Sequence, residues 1–343
     1  MLINFEYFYP LPYRMKIKNL FKCEKALQEI TKIAIEAEKD ENPTLHFFQN
    51  KARDYFFDLE AICRILSKTV KNNDKVSDLR DAFKVAEDAL GQYDFILSIH
   101  NSFSSVKNLS TPFIEKIKLS EKKAQVELKQ FLKTNHWLPY SESNIKEYEE
   151  QLNDLLDTDY EKFRSDFIDY LSKSLLKVDL EYRKGELDPH QLEEGVHEIR
   201  RKIRWISIYA KVSGGAIQCI ESKSPDQQLM KYKTASVMNS PFIKLPENTE
   251  KIQTINFRFE NYIALSWMID ELGVLKDRGQ LYESIINFTK KEGFENDRKL
   301  LLDHFKFTEN TLKEISEKAL SICDTFFIKD DILKRINDDI HQS

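Results

Sequence analysis

Residues that break regular backbone structure are scarce in this chain. Only eight glycines and nine prolines occur among 343 residues, and hydrophobic residues make up 41% of the sequence. The abundant Lys, Glu and Leu are good helix formers, and apolar residues recur at helical spacing. No run of alternating apolar and polar residues indicates a β-sheet. The sequence therefore predicts an all-α protein made of long helices.

Turn residues divide the predicted helices into two groups. Gly185–Pro189 is the best internal boundary, and a polar stretch near 221–252 contains three prolines. We interpret that stretch as a long insertion with room for a short hairpin. The predicted units are a lead-in and first helix over 1–43, a first helical half over 44–185 and a second helical half over 186–343. The predicted helices cover residues 22–39, 45–71, 76–103, 111–134, 143–156, 158–184, a segment ending at 212, 255–272, 276–292, 295–306 and 308–339. Within them, Thr44 is expected to cap the second helix, and Gly91 to interrupt or end the third.

Cysteine usage and the N-terminus bear on the compartment. The four cysteines are far apart and form no Cys-x-x-Cys pair, which favours free thiols over a disulfide framework or a zinc site. The first residues contain no charged region followed by an apolar run, and no stretch has the roughly 18 to 20 apolar residues that span a membrane. We therefore expect a cytoplasmic protein with no membrane association and no cofactor. The net charge of −5 argues against a non-specific coat on nucleic acid.

Two landmarks recur in the same order along the chain. Leu45–Arg53 and Val196–Arg204 both read apolar-His-x4-Lys-x-Arg, and Asp-x-Leu-Gly occurs at 88–91 and again at 270–273. His46 lies 45 residues before the first glycine, and its counterpart lies 76 before the second. The polar insertion is about as long as the difference of 31. Together the two matches favour an internal duplication.

The second-half histidine begins an amphipathic basic helix. Helical geometry puts His197 and several basic residues on one side, and apolar residues from Val196 to Ala210 on the other. Like charges at this spacing repel one another, so binding of a multivalent anion would reduce the repulsion. The five basic residues are Arg200, Arg201, Lys202, Arg204 and Lys211. A solvated helix face is the alternative interpretation.

The first-half helix carries less charge. On a single helix, His46, Arg53 and Arg64 would share one face, with Ala52 and Leu59 among the residues opposite. The two Asp-x-Leu-Gly elements are interpreted as structural, since glycine permits a close helix approach or a sharp turn.

These elements resemble those of the CHAD family, the conserved histidine α-helical domains. In that family each of two pseudo-symmetric helical halves opens with His-x-x-Arg and further basic residues, and a later helix ends in Leu-Gly-x-x-x-Asp. His197–Arg200 and Leu272–Asp277 fit this pattern. In the first half, Gln49 stands where arginine is expected, and Leu90–Asp94 is one residue short. The resemblance covers about residues 20–340.

The resemblance implies two antiparallel helical-bundle halves packed around a central groove that binds inorganic polyphosphate without catalysis. Arg and Lys can each supply charge-assisted hydrogen bonds to phosphate oxygens. The residues carried over are His46, Lys51, Arg53, His197, Arg200, Arg201, Lys202 and Arg204; Lys211 is added from the helix geometry.

Other functions stay open. A helical scaffold that has lost anion binding, or whose basic face meets an acidic protein partner, is the main alternative. An enzyme acting on phosphorylated substrates is less supported, because the chain contains no P-loop and no His-Glu-x-x-His motif. The acidic pairs Asp330–Asp331 and Asp338–Asp339 are interpreted as a solvated helix face. Nucleic acid is not favoured as a partner, since no exposed aromatic cluster indicates base stacking.

Overall fold

The computed structural model describes residues 15–21, 23–70, 73–290 and 293–343. Over these residues the protein is almost wholly helical, with one small sheet, so the predicted all-α class is confirmed. The start of the predicted lead-in, residues 1–14, lies outside the described residues. In this part of the chain, no helix is long and apolar enough to cross a membrane.

Helices in the N-terminal part mostly follow the predicted segments. The best match is the helix that begins at Thr111 and ends at Thr134, where the hydroxyl of Ser110 accepts a hydrogen bond from the backbone N–H of Phe113. The prediction that Gly91 breaks a helix is wrong, because this glycine lies inside one long helix. The helices are α1 (Cys23–Ala37), α2 (Pro43–Gln49), α3 (Ala52–Thr69), α4 (Asn73–Ser104), α5 (Thr111–Thr134), α6 (Ile145–Leu155) and α7 (Tyr160–Arg183).

The predicted helix over 45–71 is two helices. Asn50 and Lys51 separate α2 from α3, and Lys51 takes a left-handed backbone conformation with φ of 59°. The predicted cap is also wrong: the side chain of Asn42, not Thr44, accepts the hydrogen bond from Leu45 at 3.2 Å. Thr44 is instead a buried residue within α2.

Helices in the C-terminal part show two further differences from the prediction. Gly273 lies inside one long helix, so the predicted break between 272 and 276 is wrong. Conversely, the predicted segment 308–339 is broken near Asp331, whose φ is 53°. The helices are α8 (Glu198–Val212), α9 (Ala235–Asn239), α10 (Phe259–Phe288), α11 (Glu295–Phe305), α12 (Thr311–Cys323) and α13 (Ile332–His341), with π-helical turns at Leu192–His197 and Asp324–Lys329.

The polar insertion connects two short strands that the sequence analysis missed. Strands β1 (Ile217–Ile220) and β2 (Ile255–Arg258) pair in parallel, with Ile217 opposite Ile255. Parallel neighbours require a long crossover, and residues 221–254 provide it. The expected hairpin is therefore wrong. The crossover instead holds α9 and two 3-10 turns, and it buries Leu229 and Tyr232.

Apolar packing is continuous across the turn at 185–189. One buried cluster contains residues of α1, α3, α7, α8 and α10, and α3 packs against both α4 and α8. A smaller cluster joins the ends of α4 and α5 to α10 and α11 through Phe103, Phe113, Ile285 and Leu301. These two clusters fix α3, α4, α8 and α10 relative to one another, and the candidate site lies among those four helices.

The interpretation of the C-terminal acidic pairs as a solvated helix face is wrong for Asp330 and Asp339; of the four residues, Asp338 alone is exposed. Asp339 is 5% exposed and accepts hydrogen bonds from the backbone N–H of Arg258 (2.9 Å) and from the side chain of Asn261 (2.7 Å). Its carboxylate also pairs with the guanidinium of Arg258 at 2.5 Å. Asp330 accepts from the hydroxyl of Tyr232. These carboxylates attach α13 and the turn before it to β2 and to the crossover.

Candidate functional site

Helix α8 buries the apolar stripe that the sequence predicts. The stripe faces α3, α7 and α10, and its burial fixes which way the basic side chains point. Its members, each no more than 2% exposed, are Val196, Ile199, Ile203, Ile206 and Ala210. The basic side chains predicted for the site fall into two sets. Those of one set reach α3, α4 or α10, and those of the other pair with acidic side chains.

Arg53, near the start of α3, crosses to α4 and packs against Gly91. Its Nε and Nη2 atoms lie 2.9 and 2.8 Å from Oε1 of Glu87, and Nη1 lies 2.9 Å from Asp94. A Cβ atom at position 91 would lie 2.6 Å from Nη2 of Arg53. Glycine at this position therefore makes room for the guanidinium. Burial raises the pKa of Glu87, and the charge of Arg53 opposes that rise.

Arg200 of α8 makes a similar contact with α10. Its Nε donates to the backbone carbonyl of Ile269 at 3.1 Å, four residues before Gly273. A Cβ atom at position 273 would lie 3.0 Å from this Nε. Burial lowers the pKa of Arg200, while Asp277 and Asp270 act in the opposite direction. At the glycine of each Asp-x-Leu-Gly element, the side chain of an arginine from another helix therefore packs closely against the helix backbone.

Arg204 lies one helical turn beyond Arg200 and has no carboxylate contact within the described part of the chain. Its guanidinium carbon stands 4.5 Å above the ring of Phe57. Its Nε is buried and has no hydrogen-bond acceptor among the described residues. Burial and repulsion by Arg200 and Arg53 lower the pKa of Arg204 to about 10. We call Arg53, Arg200 and Arg204 the arginine cluster.

The first-half histidine lies apart from this cluster. Because the chain turns at Lys51, the prediction that His46 shares a helix face with Arg53 and Arg64 is wrong. The imidazole of His46 instead faces acidic residues of the α1 end, with its Nδ1 3.3 Å from Asp40. Lys51 is exposed at the turn between the helices.

The remaining predicted site residues form ion pairs. They are held by neighbouring carboxylates at direct contact distance, so each would have to leave a partner in order to bind another anion. The pairs are His197–Glu193 (2.9 Å), Arg201–Glu198 (2.6 Å), Lys202–Glu181 (3.0 Å) and Lys211–Asp58 (2.8 Å).

A cleft of about 1100 Å³ opens between α4 and α10 beside the arginine cluster. Arg53 and His197 reach its wall, and Phe95, Phe288, Phe305 and Phe307 form its apolar part. Carboxylates outnumber cations among the described residues that line it. The carboxylates are Glu87, Asp88, Asp94, Glu193, Asp277 and Glu283; the basic side chains besides Arg53 and His197 are Lys276 and Arg278.

The sequence analysis missed an aromatic contact between the two basic helices. The ring of Phe57 on α3 stacks on Trp205 of α8, with centroids 5.0 Å apart, and the guanidinium of Arg64 lies 4.3 Å from the centroid of Trp205. The spacing of seven residues between Phe57 and Arg64 puts them on one helix face and could have indicated the contact. Its partners on α8 could not be read from the sequence.

Within the described ranges, no group of three His, Cys, Asp or Glu side chains is arranged to hold a metal ion. Comparisons of the chain with protein-family models, with curated proteins and with solved structures find no match.

Proposed function

We propose that this protein is a non-catalytic binding module for inorganic polyphosphate or a similar anion, and that the arginine cluster is its site. One observation carries the proposal. Arg204 is a mostly buried cation with an unsatisfied Nε, and it lies close enough to Arg53 and Arg200 for their charges to lower its pKa. A buried cation without a partner is costly. An anion in contact with the terminal nitrogens of Arg204 would supply the missing negative charge.

An internal duplication accounts for how the cluster is assembled. Shifting α3 by 147 positions places Arg53 on Arg200 and Arg64 on Lys211. Under the same shift, Asp58 of α3 falls on Trp205 of α8. The contact between Asp58 and Lys211 therefore has a counterpart in the contact between Trp205 and Arg64, with the two helices exchanged. Such an exchange is expected for two related helices that cross at a pseudo-two-fold axis.

The arginine–glycine contacts agree with this register. Arg53 precedes Gly91 by 38 positions, and Arg200 precedes Gly273 by 73. The 35 additional positions in the second half are close to the length of the crossover between β1 and β2. This register differs by four residues from the one that pairs the two histidines. It is nevertheless compatible with two pseudo-symmetric halves of the CHAD type.

A helical scaffold without anion binding is the second candidate. It is favoured by the internal ion pairs of Arg53, Arg201, Lys202 and Lys211, each of which has a carboxylate partner. In a scaffold, Arg204 would serve packing alone through its contact with Phe57. The two candidates therefore differ in what Arg204 contributes to stability and to binding.

Arg204→Met tests the proposal, because methionine keeps much of the side-chain length and removes the charge. We expect roughly 10- to 100-fold weaker binding of polyphosphate, the effect of losing one charge-assisted contact. We also expect the variant to be as stable as the parent protein or more stable, because a buried cation without a partner is removed. Isothermal titration calorimetry at two salt concentrations and thermal unfolding measure the two effects.

Arg201→Met is the matched control. It removes the same charge from the same helix, but Arg201 is exposed and paired with Glu198. We expect its affinity to stay within about threefold of the parent, since exposed pairs contribute little. If neither variant nor parent binds polyphosphate at low salt, and Arg204→Met lowers the unfolding temperature, the scaffold is the better description.

A further inference from the structure

Two of the three guanidinium groups in the arginine cluster have no carboxylate partner among the described residues. The charge of Arg53 is already paired, since its Nε and Nη2 contact Glu87 and its Nη1 contacts Asp94. Arg200 uses its Nε for the carbonyl of Ile269, and its terminal nitrogens have no partner among the described residues. Arg204 has no hydrogen-bond partner in the same part of the chain. The binding capacity therefore rests on one i, i+4 pair of α8.

Carboxylates close both ends of this pair. Towards the N-terminus of α8, the next basic side chain is His197, whose Nδ1 lies 2.9 Å from Glu193. Towards the C-terminus, the next cation is Lys211, which is held by Asp58 at 2.8 and 3.0 Å. A long polyanion that extended along α8 from the pair would meet a carboxylate in either direction. Like charges at such contacts oppose binding.

The cleft between α4 and α10 does not extend the site for an anion. Six carboxylates line it, and three of its four basic side chains already contact one: Arg53 contacts Glu87, His197 contacts Glu193, and Lys276 lies 2.9 Å from Asp277. Arg278 packs over the ring of Phe307 at 4.8 Å. A chain of phosphates in this cleft would run beside more negative groups than positive ones.

We infer that the site holds a single phosphate group, clamped between Arg200 and Arg204, and that its ligand is a compact phosphate instead of a polymer bound along its length. The inference rests on the proposed function and defines its ligand class. Residues at i and i+4 lie on the same helix face, about 5–6 Å apart at Cβ, so two guanidiniums can approach one phosphate. Arginine forks match the oxygens of a phosphate group well.

The test compares ligands of increasing length on the full chain. The ligands are inorganic phosphate, pyrophosphate, phosphoserine and long-chain polyphosphate, each titrated at several salt concentrations. We expect affinity expressed per phosphate group to change by less than about threefold from pyrophosphate to long chains. The logarithm of the binding constant should fall with the logarithm of salt concentration with a slope of about −1 to −2, because few phosphate charges are neutralised. Binding of phosphoserine would indicate a phosphomonoester, and binding of the inorganic forms alone a free phosphate.

In the Asp58→Asn variant, the affinity for polyphosphate should depend more strongly on the length of the polyphosphate chain. The change releases Lys211 from its carboxylate partner, so a long chain could then contact a third cation. We expect roughly two- to fivefold tighter binding of long polyphosphate and unchanged binding of pyrophosphate. Affinity per phosphate that rises steeply with chain length in the parent protein would overturn the inference and leave the proposed function standing. Absence of binding by every ligand would overturn both.

Discussion

Replacing Asp339 by asparagine should destabilise the protein by about 1.5–3 kcal/mol, the usual contribution of hydrogen bonds to a charged group. The carboxylate is 5% exposed and receives the guanidinium of Arg258, its backbone N–H and the amide of Asn261. Asparagine has nearly the same shape, but its NH₂ group would face one of these donors. Asp339 also lies between α13 and β2, so the loss should be felt where the C-terminal helix meets the sheet.

Asp338→Asn is the internal control for this prediction. Asp338 is the neighbouring residue, carries the same charge and is exposed. Surface changes of this kind usually alter stability by no more than about 0.5 kcal/mol. Urea denaturation of both variants gives the difference, and hydrogen exchange of α13 locates it. Equal denaturation midpoints for the two variants would mean that the buried contacts of Asp339 contribute no more than a surface charge.

Local signals were sufficient where a helix is set by its own residues. The bounds of α5 follow from Ser110 and Pro112 at its start, which are a cap and a residue suited to the first turn. The buried stripe of α8 follows from the spacing of its apolar residues. Such features depend only on residues that are close together in the sequence, so the sequence is enough to predict them.

Glycines were misread where a distant side chain decides their role. Gly91 and Gly273 were interpreted as possible helix ends, because glycine is a poor helix former, or as sites where another helix approaches closely. Both lie inside long helices, and each accommodates an arginine from another helix. Local propensity cannot reveal this, since Arg53 and Arg200 are 38 and 73 positions away. The same limit hid Glu181 and Asp58, the distant partners of Lys202 and Lys211. Glu193 and Glu198 lie within four residues of their partners, so the sequence could have indicated those pairs.

Single-residue turns explain another part of the difference. The sequence near Lys51 continues an amphipathic pattern, so nothing local predicts that this lysine adopts a left-handed conformation. The turn rotates α3 relative to α2 and so separates His46 from Arg53.

The strands β1 and β2 were missed because each has only four residues. Strands this short contain too little alternation of apolar and polar residues to distinguish them from the crossover.

Gly214→Ala should cost roughly 4 kcal/mol or more, which places it in the tail of single substitutions. Gly214 follows the end of α8, and a long-range contact requires glycine there. Gly214 has φ of +59°, and a Cβ atom there would lie 2.0 Å from the carbonyl oxygen of Leu20. The next residue, Gly215, is equally close-packed, with a Cβ position 2.6 Å from the carbonyl oxygen of Glu247. Both obstacles are backbone atoms, so a side-chain rotation cannot relieve the clash.

Gly185→Ala separates the clash from the backbone strain. Gly185 also has positive φ, at +72°, but nothing lies within 4 Å of its Cβ position. This control should therefore lose only the strain of a left-handed residue, about 1–2 kcal/mol. Denaturant unfolding of the two variants gives the difference between them, which measures the close approach of Leu20 to the end of α8. The two variants could instead lose the same free energy of unfolding. In that case the segment before α1 moves away from α8 at little cost, and the close contact at Gly214 adds nothing to stability.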